Sequence, residues 1–436
     1  MSTEPTIQRS GGIRFEAVCI LGALITYTSM YAFRKPLSAA TFEHLTYWGM
    51  NYKIIAIISQ VIGYTCSKFL GIRIVSGLQP NRRIPCILSF VGVAWVALLL
   101  FAVVPAPYNV VFLILNGLPL GMIFGIVLSF LEGRKKTELL GAGLCISFIT
   151  ASGITKAVGM FLMEHCHVSD FWMPFATGAV FIPFLLTGVW LLGKIPPPTE
   201  GDKKARCERA PMDGKARMKF VRTFTVGVIV STLIYSTLTV YRDLRDNFAV
   251  ELWAKLGYAH NSAILAWSEI IIAVCVLFIV SQMIRITNNR TAFYSNIYIF
   301  LAGGLILCGG TFLFKHGYLP PLLWMIGTGF GLYLCYICFH TMFFERWLAL
   351  FHYKGTISFL ICVADSFGYL GSVGVMLYKN FCSAGMDWLS FVTTVAYIAG
   401  CLIMAGALCI FFYFRRKEAG WKGMEDEQQT RSGVTD

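Results

Sequence analysis

Long apolar runs alternate with short polar ones along the whole chain. A helix that crosses a bilayer needs about 20 apolar residues, and twelve runs meet that need, at 15–42, 47–70, 84–104, 108–131, 139–163, 171–193, 222–248, 261–284, 292–314, 320–344, 355–378 and 387–414. The only long polar stretch is Lys194 to Arg222, which holds Pro196-Pro-Pro198 and nine basic against four acidic residues. Its composition gives no reason to expect a fold. The expected organisation is an N-terminal segment 1–14, a six-helix bundle 15–193, a basic linker 194–221, a second six-helix bundle 222–414 and a polar tail 415–436.

The two bundles repeat one another. Tyr27-Thr-Ser-Met-Tyr31-Ala-Phe-Arg34 aligns with Tyr235-Ser-Thr-Leu-Thr-Val-Tyr-Arg242 at an offset of 208 residues, and Asn81-Arg82 falls on Asn289-Arg290 at the same offset. Gly117, Pro119 and Gly121 meet Gly327, Gly329 and Gly331 at 210, and Gly153, Val158, Gly159 and Leu162 meet Gly368, Val373, Gly374 and Leu377 at 215. Six spans per copy is an even number, so both copies start on the same side and the repeat is parallel about an axis along the membrane normal.

Composition agrees with an all-α integral membrane protein. Apolar residues make up 56% and charged residues 14% of the 436, against about 25% charged in soluble domains. The net charge of +13 is a matter of topology and of anionic headgroups, not of nucleic acid. Lys53, Lys255, Lys315 and Lys379 fall on one side and Arg34, Lys35, Lys156, Arg242 and Arg245 within spans; the other 27 of 36 basic residues lie on the second side. That asymmetry places both termini in the cytoplasm, and the expected location is the cell (inner) membrane. The first span lacks a cleavage site and is expected to stay. The cysteines, Cys335 and Cys338 included, lie mostly in apolar spans and read as packing residues. His165-Cys-His167 lacks the further ligands a metal site needs. No cofactor is expected, and no hydrolase elbow or nucleotide loop points to an enzyme.

The embedded charges carry the chemistry. An arginine at bilayer depth costs about 2.5–3.5 kcal/mol on insertion scales and needs water, a partner or a ligand. Taking the first span as helical to Phe42, Tyr27, Tyr31 and Arg34 share a face at i, i+4 and i+7, and Tyr235 and Arg242 repeat the spacing. Such a face suits a carboxylate or phosphate; snorkelling of Arg34 to the headgroups is the alternative. Arg242 is spaced to pair with Asp246 at i+4, and Asp243 to face Arg34 or Lys35; such pairs would be a gate broken during transport, or structural neutralisation. Arg245 is open to either pairing or substrate contact. Lys156 makes a third cation toward one site. Glu269 and Asp365 are the embedded acids, there to bind a coupling proton or to neutralise a cation. His340 is a core histidine or a group titrating near neutral pH.

With its twelve spans, six plus six, and its basic central segment, the chain resembles the major facilitator superfamily from Arg14 to Phe414. Glu132-Gly-Arg134-Lys-Lys-Thr-Glu138 is similar to a charged gating loop of that superfamily, while the loop Gly71 to Arg83 lacks the acidic residue of its signature loop. Tyr31-Ala-Phe-Arg34-Lys35 resembles the first-helix motif of the organophosphate:phosphate antiporters, in which arginines on helices 1 and 7 grip phosphate. The resemblance implies that role for Arg34 and Arg242, on facing walls of one cavity, and gating for Glu132, Arg134 and Glu138. The expected function is secondary transport of a small organic anion by a monomer in the lipid bilayer. The alternatives are a proton-coupled carrier of a neutral or drug-like solute, and a non-transporting anion sensor on the same fold.

Overall fold

The computed structural model describes residues 13–42, 45–76, 78–131, 137–196, 214–259, 261–351, 353, 357–383 and 385–432. Apart from a two-stranded hairpin, β1 (Thr46–Tyr47) with β2 (Met50–Asn51), the regular structure is helical. In order the helices are α1 (Ile13–Tyr31), α2 (Tyr52–Ser76), α3 (Arg83–Val103), α4 (Val110–Leu131), α5 (Thr137–Cys145), α6 (Ser147–Cys166), α7 (Met173–Gly193), α8 (Gly214–Thr223), α9 (Thr225–Asn247), α10 (Ala249–Lys255), α11 (Ser262–Ile284), α12 (Asn289–Lys315), α13 (Pro321–Cys338), α14 (Phe344–Leu350), α15 (Ile357–Phe381) and α16 (Trp388–Ser432). Among the described residues nine helices are long and apolar enough to cross a membrane, or ten if α8 and α9 count as one bent span. The apolar part of α1, Phe15–Tyr31, is shorter. With α1 and α15 included, every run expected from the sequence contains a helix.

Several boundaries differ from the sequence expectation. The first span is not one helix to Phe42. It ends at Tyr31, tightens through i to i−3 bonds from the amides of Ala32, Phe33 and Arg34, and continues as a 3₁₀ turn, Lys35–Ala39. Pro36 is the cause, because it has no N–H for the carbonyl of Ala32 and its ring crowds that carbonyl. The polar segment before span 7 is helical over Gly214–Thr223, while residues 197–213 of the expected linker lie outside the described residues. The last helix runs past 414 to Ser432, since Arg415-Arg-Lys-Glu-Ala contains no breaker and Glu418 is anchored by Arg290 and Tyr294.

The described residues pack as two compact units, one drawn from Met1–Cys207, Asp243–Leu277 and Ser372–Phe391, the other from Glu208–Arg242, Phe278–Gly371 and Val392–Asp436. This partition crosses the sequence repeat: the first unit takes in the ends of α9 and α15 and the start of α11. Within it α2 lies on α4, α1 on α7, and the 3₁₀ turn on α6 and α7. A Cβ on Gly117 would stand 2.3 Å from the carbonyl oxygen of Gln60, so only glycine permits the α2–α4 approach. The neighbouring Asn116 donates to the carbonyls of Phe33 (3.0 Å) and Ala94 (2.9 Å). The first of these has no α-helical partner after the break at Tyr31, and Asn116 satisfies it. In the second unit α12 packs on α13 and on α14.

Large apolar side chains remain on the outside, among them Trp190, Trp267, Phe278, Leu370 and Phe412. Charges such as Arg34, Lys156, Asp243, Arg245 and Asp365 are buried. Apolar outside and charged inside is the arrangement of a multi-pass membrane protein.

Candidate functional site

The first unit holds a buried charge cluster centred on Asp246, at the last turn of α9. Lys35, on the 3₁₀ turn, binds the Asp246 carboxylate and donates to Asn247 Oδ1 at 3.2 Å. Lys156, in the middle of α6, donates to Asp246 Oδ1 at 2.5 Å and to the Asp246 carbonyl oxygen at 2.7 Å. Ser152, one turn before Lys156, donates to the same Oδ1 at 2.5 Å. One carboxylate therefore serves two lysines. The break at Tyr31 makes this possible, because it turns the chain so that Lys35 follows a helix end and does not continue a helical face.

Around this centre stand further charges. Arg34 and Asp243 both act electrostatically on Lys35. Arg245, on the same turn as Asp246, donates to Glu269 Oε1 on α11 at 2.6 Å. A Cβ on Gly153 would lie 2.3 Å from the carbonyl oxygen of Leu265 and 2.9 Å from the Glu269 side chain, so glycine lets α6 reach α11 there. Arg34 is buried with its guanidinium 3.7 Å from the centroid of the Tyr64 ring, a cation–π stack within the unit and not a lipid-facing position. Counting Arg34, Lys35, Lys156 and Arg245 against Asp243, Asp246 and Glu269, the cluster carries four cations and three anions, one positive charge in excess.

Two expectations are corrected here. Arg242 does not pair with Asp246. The two desolvated lysines hold that carboxylate, and Arg242 donates to the Tyr336 hydroxyl. Tyr27, Tyr31 and Arg34 do not form one helical face, because α1 stops at Tyr31. Tyr27 is instead packed edge-on against Tyr31, Phe124 and Phe148, with ring centroids 5.3–5.9 Å apart. Glu132 and Arg134 lie outside the described residues, as does the side chain of Glu138 on α5.

The second unit has its own polar network, around Tyr235. Its hydroxyl lies 2.5 Å from Asp365 Oδ1 on α15, 2.6 Å from His340 Nε2 and 3.0 Å from the Tyr336 hydroxyl on α13. A phenol has one proton to give and two lone pairs. One assignment that satisfies all three contacts has Tyr235 donating to an ionised Asp365 and accepting from Tyr336 and from His340 Nε2–H. Arg242 donates to Tyr336 and lies over its ring, so a directed chain runs from guanidinium through two phenols to carboxylate. His340 sits in a π-helical turn, Phe339–Phe343, a local widening found often at functional positions.

Sequence reasoning missed Tyr64, Ser152, Asn247, Tyr336 and Tyr369, the last with its ring centroid 5.8 Å from the Arg242 guanidinium, as members of these clusters. Some signal was there: Tyr336 with His340, and Asp365 with Tyr369, stand four residues apart on one helical face. Ser152 precedes Lys156 by the same step. Tyr64 carries no such mark.

The fold is that of the major facilitator superfamily. The chain is similar to the proton:xylose symporter XylE (14% identity, TM-score 0.61, covering 92% of this chain and 95% of that one). It is also similar to the nucleoside transporter NupG (14%, 0.59, covering 92% and 100%) and to an auto-inhibited POT family peptide transporter (14%, 0.58, covering 92% and 97%). No curated protein matches it by sequence. Residues 36–417 match the group described as "Family of unknown function (DUF5690)", and the chain belongs to that family.

Proposed function

We propose that the protein is a secondary active transporter that moves a small organic anion across the membrane by alternating access. The carrying observation is the sharing of Asp246 by Lys35 and Lys156. A buried carboxylate that holds two lysines is an internal stand-in for an anionic ligand. An entering carboxylate or phosphate takes one lysine from Asp246 while the other keeps that carboxylate paired, so no charge is left buried without a partner. Arg34, a planar donor beside this pair, suits bidentate contact with the same anion, and Arg242 is the equivalent donor on the second sequence repeat. The six-span halves 15–193 and 222–414 are the proposed moving bodies, with both termini cytoplasmic in the cell (inner) membrane and the monomer as the working form. The finer form of the reading is a phosphorylated metabolite exchanged for inorganic phosphate, supported by the motif around Arg34.

A second reading has support from the network in the second unit: a proton-coupled carrier of a neutral solute. Protonation of Asp365 makes it the donor to Tyr235, which then donates to Tyr336, while Arg242, a donor only, still donates to Tyr336; one proton thus redirects the bonds between the acid and the two phenols. The two readings part in one experiment. Purified protein in liposomes loaded with labelled phosphate is exposed to external sugar phosphates or to neutral sugars, with and without a proton gradient. Phosphate efflux driven by external organic phosphate at equal pH supports anion exchange. Efflux that ignores every organic anion, with sugar uptake that follows the proton gradient, overturns it in favour of the second reading.

A further inference from the structure

The helix α8 and its junction with α9 are not used by the transport reading. Arg217–Thr223 and Thr225–Asn247 meet at a bend of 94°. After the bend, Val226, Ile229 and Leu233 on α9 are exposed apolar residues, the surface of a span that faces acyl chains. A helix turned by that angle from a span runs along the headgroup region.

The two faces of α8 differ. Phe220 is buried, with its ring centroid 5.1 Å from those of Phe224 and Tyr353 and 5.6 Å from that of Trp347, so this face is fixed to the second unit. Lys215, Met218, Lys219 and Arg222 follow at i, i+3, i+4 and i+7 on another face, all exposed. A groove of about 410 Å³ opens along it, lined by these four residues and Thr223. Three cations thus surround one exposed methionine, within a turn of side chains that meet lipid. A free phosphate has no use for Met218; a phospholipid has a phosphate for the cations and a glycerol and acyl end for the methionine.

We propose that this face of α8 is a binding site for an anionic phospholipid, which clamps the helix to the membrane surface at the entry to α9. The site is independent of the substrate cluster.

The test uses the full chain purified in a neutral detergent and its unfolding temperature. The probes are dioctanoyl phosphatidylglycerol, dioctanoyl phosphatidylcholine and inorganic phosphate at matched concentrations. Saturable stabilisation by phosphatidylglycerol alone is expected. The triple substitution K215Q/K219Q/R222Q, on side chains exposed to solvent or headgroups, should weaken its apparent affinity by roughly a hundredfold. M218N should weaken it while leaving the charge unchanged. Equal stabilisation by phosphatidylcholine, an equal effect of inorganic phosphate, or an unchanged phosphatidylglycerol response in the triple variant would each overturn the proposal. If the triple variant does not fold, the single substitutions K215Q, K219Q and M218N carry the same test, and an unchanged phosphatidylglycerol response in all of them overturns the proposal.

Discussion

Lys156 and Asp246, 90 residues apart in sequence, meet twice: the ammonium lies 2.5 Å from the carboxylate and 2.7 Å from the carbonyl oxygen of the same residue. The carbonyl contact exists because α9 ends here, leaving its last oxygens without helical donors. Lysine on α6 therefore caps α9 and neutralises it at once. Replacing the acid by Asp246→Asn takes from Lys35 and Lys156 the carboxylate they share. A loss of about 3–5 kcal/mol of stability is expected, partly restored by a bound organic anion. Thermal unfolding with and without anion measures both; unchanged stability and no anion effect would remove the stand-in role of Asp246.

Arg245 and Glu269 make the simplest test of structural pairing against substrate contact. Their 2.6 Å bond is buried, so Arg245→Met alone should cost about 3–5 kcal/mol, and the double change Arg245→Met with Glu269→Met should recover most of it. If the double variant is stable and still binds anion normally, the pair is scaffold. Lost binding in that stable double variant would place Arg245 in contact with substrate.

The Tyr235 network separates the two transport readings. Under anion exchange, Asp365→Asn keeps exchange at equal pH, since asparagine still accepts from Tyr235. Under proton coupling the same change abolishes uptake driven by a proton gradient. Exchange assays and gradient-driven uptake on one preparation give the answer, and loss of exchange in a folded Asp365→Asn protein speaks against the first reading.

The topology has its own check. A reporter placed between Lys194 and Arg222 should read cytoplasmic, as should reporters at both termini, because 27 of 36 basic residues are assigned to that side. An external signal from the central segment contradicts the orientation.

Much of the fold was legible because bilayer thickness fixes how long an apolar run must be, and twelve runs comply. The embedded cations were legible for a related reason: a charge within such a run costs too much to be incidental. Their partners were not. Asp246 was within helical reach of Arg242, and local spacing favoured that pair. The outcome was decided by Lys35 and Lys156, which spacing along α9 does not register. Pro36 lies within the first apolar run, and its effect spreads upstream to Tyr31, since a proline acts on the carbonyl of the preceding turn. The π turn at Phe339–Phe343 has no sequence signature, and His340 was undecided without it.

Arg34 and Arg242 give the most direct measurement. Each is proposed to offer two parallel N–H donors to one anion, and lysine keeps the charge without that fork. Binding of inorganic phosphate and of sugar phosphates should be measured on folded, inserted Arg34→Lys and Arg242→Lys proteins. Each substitution is expected to weaken binding by about 1.5–3 kcal/mol, the range for a hydrogen bond to a charged group. The proposed transport reading has each arginine contact the transported anion, and on that reading the double substitution should cost less than the sum of the singles. Normal binding and flux in both lysine variants would contradict the central claim.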